Sequence, residues 1–115
     1  MSNVRRQNLL TTRPQESLLG CWHLLAADPK LEMSEPVELE FKGNGELVYS
    51  IDAGTKWQIM RLTFRIDGDV LVTDQSSKPD EQRTQFSFED DNTLVLDYGG
   101  ARASFVRGEK RAPAV

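Results

Sequence analysis

A chain of 115 residues with 14 Lys and Arg, 18 Asp and Glu, one His and one Cys has room for one domain. A single cysteine forms no internal disulfide, and one His with one Cys cannot build a Cys/His metal site. Any His/Cys/Asp catalytic set would have to use Cys21 or His23, so counting alone excludes much enzyme chemistry, and at 38% hydrophobic and 28% charged the chain reads as soluble and globular.

The net charge of −4 is unevenly spread. Residues 1–16 carry Arg5, Arg6 and Arg13 against Glu16, and residues 108–115 carry Lys110 and Arg111 against Glu109. Residues 17–107 hold nine basic and sixteen acidic side chains, a balance of −7. An acidic body lacks the basic face that phosphate neutralisation requires, so no nucleic-acid partner is expected. Arg5-Arg6 looks like a twin-arginine signal, and Leu18-Leu19-Gly20-Cys21 looks like a lipoprotein cleavage site. Both signals need an apolar run of about 7–15 residues, and Arg13-Pro14-Gln15-Glu16 interrupts it. No stretch is long enough for a membrane span, and the expectation is a cytoplasmic protein with a reduced thiol.

In chain order, residues 1–13 lack apolar periodicity and read as a flexible arm. Pro14 to Leu19 suits one helical turn, with proline at a first helical position and Glu16 in the first turn. The pattern then turns to period two, and strands are expected at 20–26, 36–42, 46–52, 57–66, 70–75, 82–89, 93–98 and 101–107. Gly43-Asn44-Gly45, Asp67-Gly68-Asp69 and Asp90-Asp91-Asn92 are tight-turn chemistry. These turns alternate with longer loops at 27–35, 53–56 and 76–81, and Gly99-Gly100 makes the last turn. An antiparallel meander with such connections has one tied-off end and one loop-rimmed end. Closure of the eight strands into an all-β, up-and-down barrel over 14–107 removes both open edges. Residues 108–115 read as a flexible tail.

Gly20-Cys21-Trp22, a Gly-x-Trp preceded by a short helical turn and followed by an eight-stranded meander, resembles the lipocalin-like (calycin) barrels, in a minimal bacterial-type form. The resemblance covers roughly 17–107 and is marked by departures: no helix follows the last strand, and Thr73-Asp74-Gln75 only partly echoes a second lipocalin motif. It implies that Trp22 plugs the closed end and packs against Arg107, which strand counting and alternation place at the same end and on the inner face. Gly20, Trp22 and Arg107 are therefore the expected closure set. The resemblance also implies a non-catalytic binding domain that needs no cofactor. Avidin-like barrels share the Gly-x-Trp start, but their biotin-contacting set is not matched.

Alternation turns Trp22, Leu24, Ala26, Val37, Leu39, Phe41, Leu47, Tyr49, Ile51, Met60, Leu62, Phe64, Ile66, Phe86, Phe88, Leu94, Leu96, Tyr98, Ala101, Ala103 and Phe105 inward. Eight strands enclose either a side-chain-filled interior or one small ligand. Ala26, Ala101 and Ala103 converge towards the loop-rimmed end, so a pocket is expected there, bounded by Leu24, Val37, Tyr49, Leu96 and Tyr98, with a small apolar or amphipathic ligand. The competing reading is a filled barrel with an outward patch of Val48, Trp57 and Ile59, rimmed by Arg61 and Arg65, that meets a partner or a second copy. A bulge could instead turn Trp57 inward. Cys21 and His23 point outward beside the plug, where a proton-shuttle or haem-ligand role for His23 lacks a second partner. Glu89-Asp90-Asp91 reads as a solvated turn, its spacing matching no calcium loop.

Overall fold

The structure, a computed structural model, describes residues 14–33, 36–75 and 79–113; the expected N-terminal arm lies outside them. A short helix α1 (Pro14–Leu18) leads into eight strands: β1 (Gly20–Ala27), β2 (Val37–Phe41), β3 (Glu46–Asp52), β4 (Trp57–Asp67), β5 (Val70–Asp74), β6 (Gln82–Asp90), β7 (Thr93–Tyr98) and β8 (Ala101–Gly108). Each strand pairs antiparallel with its sequence neighbours, and β8 pairs with β1, closing the barrel. The turns are built as their residues require. Asn44 accepts the Glu46 N–H at 3.0 Å and Asp90 the Asn92 N–H at 2.8 Å, each side chain standing in for a backbone acceptor.

Three tight turns and α1 gather at one end, and the longer loops rim the other. At the tied-off end Leu18, Trp22, Leu94 and Phe105 are wholly buried. Phe88 lies 6.0 Å from the Trp22 ring, and Phe41 meets Phe64 edge-on at 5.1 Å. The Trp22 indole N–H donates to the Leu18 carbonyl at 2.8 Å. Arg107 stands opposite Trp22 in the β1–β8 ladder, and its guanidinium covers the ring at 4.2 Å. It also donates to the Leu19 and Ser17 carbonyls, at 2.8 Å each. Gly20 lets this happen: at φ +114° a side chain is strained, and a Cβ would sit 3.3 Å from the guanidinium.

Of the two register breaks, in the β1–β8 and β6–β7 pairings, the first changes the interior. The β1–β8 pairing shifts between Leu24 and Ala26, so Leu25 is bulged out and is 63% exposed. Beyond the bulge Ala26 faces solvent and Ala27 pairs with inward-facing Ala103. The expected inward position of Ala26 is therefore corrected by one residue, because a bulge reverses the alternation that follows it. The next segment, a 3-10 turn at Pro29–Leu31 capped by the Asp28 carboxylate, lies against β8, with Leu31 and Met33 packed on the core.

Outside the barrel, Val72 of β5 stands between Arg65 of β4 and Arg83 of β6 and is 3% exposed beneath their aliphatic stems. Glu81 bridges the two arginines, and Arg83 holds Asp67 at 2.6 Å. The β4 ladder carries no bulge, so Trp57 faces outward opposite Asp52. Residues 109–113, expected as a flexible tail, lie back along β1 and β2, where Ala112 is buried.

Replacing Arg107 with Ala removes one cation–π contact and two strong hydrogen bonds, with an expected loss of about 1–3 kcal/mol. Lys, which keeps the charge but cannot reach both carbonyls, should recover only part of it. Urea denaturation of both variants decides the point; an unshifted midpoint for Arg107→Ala contradicts the role given to the guanidinium.

Candidate ligand-binding site

Going up the barrel from the plug, the interior changes character. The lower rows are large and apolar: Phe41, Leu47 and Leu62 run across β2–β4, and Phe88, Leu94 and Phe105 across β6–β8. Higher on the β5–β6 wall the inward residues are Thr73 opposite Gln82 and Leu71 opposite Thr84. Threonine and glutamine fill less apolar volume than the leucines and phenylalanines below them. A cavity of about 220 Å³ results, lined by Leu39, Leu47, Tyr49, Met60, Leu62, Leu71, Thr73, Gln82, Thr84, Leu96 and Tyr98. Met60 and Tyr98 point inward yet are 43% and 37% exposed, which places them at its mouth on the loop-rimmed side.

The lining is mostly apolar and contains no charged side chain. Its polar groups are the Thr73 and Thr84 hydroxyls, the Gln82 amide and the two tyrosine hydroxyls. Among the described residues, the backbones of these five belong to the strand ladder, and none of the five side chains has a hydrogen-bond partner. Burial pushes the Tyr49 phenol up, and burial with Tyr49 alongside pushes Tyr98 up to about 12. Both hydroxyls therefore stay protonated, as donors, at every physiological pH.

Of the expected pocket residues, Tyr49, Leu96 and Tyr98 line this cavity, whereas Leu24, Val37, Ala101 and Ala103 do not and Ala26 is on the outer face. The alanines do create room, but the chain uses it. Ala101 and Ala103 are 9% and 0% exposed, and the loop bearing Leu31 and Met33 closes over that side of the core. Thr73, Gln82 and Thr84 are absent from the expected set, although Gln82 and Thr84 share the alternation of Phe86 and Phe88 and Thr73 that of Leu71; a search confined to apolar side chains passes over them.

The outward patch is arranged differently from its expectation. Trp57 and Ile59 face out, with Ile59 opposite Ser50, but both are only half-exposed and Val48 is 2% exposed. Among the described residues, the large exposed apolar side chains are Leu25, Met60 and Tyr98 instead. Cys21 and His23 face outward as expected; burial, Glu40 and Glu38 push the Cys21 thiol up, which disfavours its nucleophilic thiolate. Among the described residues no cluster of three His, Cys, Asp or Glu side chains is arranged to hold a metal, and no helix is long and apolar enough to cross a membrane. No family model and no curated protein matches the chain.

The tyrosine environment predicts a distinctive titration. A phenol with a raised folded pKa holds its proton more tightly than the unfolded chain does. The two phenols therefore leave stability unchanged below pH 10 and lower it as pH rises from 10 towards 12. Since the chain has two tyrosines, tyrosinate absorbance reads them directly. The expected curve rises late, with Tyr98 last; two phenols titrating at 10 would contradict the buried placement.

Proposed function

We propose that the chain is a non-catalytic, lipocalin-like carrier that binds one small, uncharged, amphipathic molecule in the upper half of its barrel. The supporting observation is the 220 Å³ cavity whose five polar side chains have no hydrogen-bond partner among the described residues. At an open-mouthed cavity these groups are left to water or a ligand, and convergent polar groups on an apolar wall give a ligand its orientation. The Gly20, Trp22 and Arg107 closure supports the lipocalin-like comparison, because it is the arrangement that resemblance implies.

Size and charge narrow the ligand. A dry cavity of about 150 Å³ holds benzene, so 220 Å³ suits about nine non-hydrogen atoms. A carboxylate or ammonium would be buried with no opposite charge in the lining, at a cost of several kcal/mol. A hydroxyl, amide or phenol head meets the Thr73, Gln82 and Thr84 wall without that cost, while its apolar body lies against Leu39, Leu47, Leu62 and Leu71. A single-ring aromatic alcohol or amide, or a medium-chain alcohol of the same size, has the required form. The mouth at Met60 and Tyr98 is the access route.

The test is a matched panel of such neutral amphiphiles and their carboxylate or amine counterparts, read by melting temperature and by native mass spectrometry of freshly purified protein. Neutral members should bind about a hundredfold more tightly than charged ones of the same shape. Thr84→Val, nearly isosteric, should weaken the best ligand about tenfold without unfolding the barrel. Leu96→Trp, which fills the cavity, should abolish binding. A panel with no binder, or one in which charge makes no difference, refutes the reading.

A further inference from the structure

The barrel carries a second built site, on its outside. Glu38 points away from the interior, where a carboxylate would ordinarily be solvated, yet it is 2% exposed. Its covering is the segment after β8. Glu38 accepts the backbone N–H groups of Arg111 at 2.7 Å and Ala112 at 3.2 Å. Directly opposite Glu38 in the β1–β2 ladder, the His23 Nε2 donates to the Glu109 carbonyl at 2.6 Å. Beside them Glu40 takes the Lys110 ammonium at 2.9 Å, and Glu38 adds a longer contact at 3.9 Å. Gly108 makes room for the crossing, since a Cβ there would lie 2.5 Å from the imidazole and force the ring to move.

These contacts read an extended backbone and one basic side chain. None of them belongs to the strand ladder: residues 109–113 are held by side chains of β1 and β2, so the segment can leave without breaking a sheet hydrogen bond. The seat is acidic and its occupant basic, and the Ala112 methyl is buried in a small socket. On release, Glu38 passes from paired to hydrated, so the empty seat is not an unpaired buried charge.

We propose that this face is a docking groove for an extended basic segment of a partner protein, of the form Lys/Arg, any residue, small residue, and that residues 109–113 are its resident occupant in the free chain. The partner competes with a tethered segment whose effective concentration is about millimolar. Five residues held by three side-chain-to-backbone hydrogen bonds and the Lys110 pairs, with no ladder bond, form a small interface that a competing segment making the same contacts can take over.

Amide hydrogen exchange on the full chain tests this. The probe is a synthetic peptide with the sequence of residues 108–115, with a Lys-to-Glu peptide as control. At a few millimolar, matching the tether, the basic peptide should lower protection at Arg111 and Ala112 about tenfold while β1 and β2 amides keep theirs. The control should leave protection unchanged. Lys110→Glu in the protein, which lies outside the strands and sets a carboxylate against Glu38 and Glu40, should lower the same two protections without any peptide. Unprotected Arg111 and Ala112 amides in the free chain would overturn the proposal, as would no displacement or equal displacement by both peptides. Protection that rises with protein concentration would assign the seat to a second copy's tail and overturn the partner reading.

Discussion

Everything at the closed end of this barrel hangs on one guanidinium. A five-residue helix leaves its last carbonyls without helical partners, and here they lie directly below an indole that must be buried. The Trp22 N–H takes the Leu18 carbonyl, and Arg107 takes those of Ser17 and Leu19 while its flat face covers the ring. Arg107 belongs to the last strand and Trp22 to the first, so the same group that satisfies α1 also joins the chain's two ends in register. Without it the plug would have an uncovered face and two orphan acceptors, and the closing seam would lose its best-defined pair.

The plug also decides where empty space can survive. A barrel of eight strands is only just wide enough to be filled by side chains. The aromatic rows around Trp22, Phe88 and Phe105 fill the lower half. On the β1–β8 side of the upper half, the loop carrying Leu31 and Met33 fills what the alanines leave open. Space remains on the β3–β7 side, where tyrosine, threonine and glutamine replace leucine and phenylalanine. The cavity is thus a product of composition on one wall and not of the smallest residues in the chain.

Much of this could be read before any coordinates. Period-two alternation and Gly/Asn/Asp turns place all eight strands within a residue or two, and the alternation of short and long connections assigns the two ends. Counting strands from Gly20-Cys21-Trp22 is enough to bring Arg107 to the plug. The bulge was not legible, because Leu24-Leu25-Ala26 is apolar whichever residue is squeezed out and no glycine or proline marks the break. The polar wall was legible in principle: Gln82 and Thr84 share the parity of Phe86 and Phe88, but an inward polar residue only makes sense once a cavity is known. Glu38 was not legible at all. An outward glutamate on a strand reads as solvated until a segment some seventy residues later is seen to lie on it.

Two seams of the closed sheet are short, and the molecule braces them by different means. β1–β2 and β5–β6 each keep four register pairs, fewer than any other neighbours in the barrel. The first is strapped from outside by residues 109–112, which tie the end of β8 to Glu38 of β2 through buried backbone hydrogen bonds. The second is crossed by Arg65, Glu81, Arg83 and Asp67, an ion-pair network in water. Exposed pairs contribute only a few tenths to about 1 kcal/mol and are screened by salt, whereas amide bonds to a buried carboxylate are stronger and protected. The β5–β6 seam is therefore the easier to open, and it carries Thr73, Gln82 and Thr84, the polar wall of the cavity. Elements that admit ligands are drawn from the less stable parts of a fold. Here that part is set apart by construction: the plug and the strap hold the strands around β1, and compliance is left to the wall that faces the cavity.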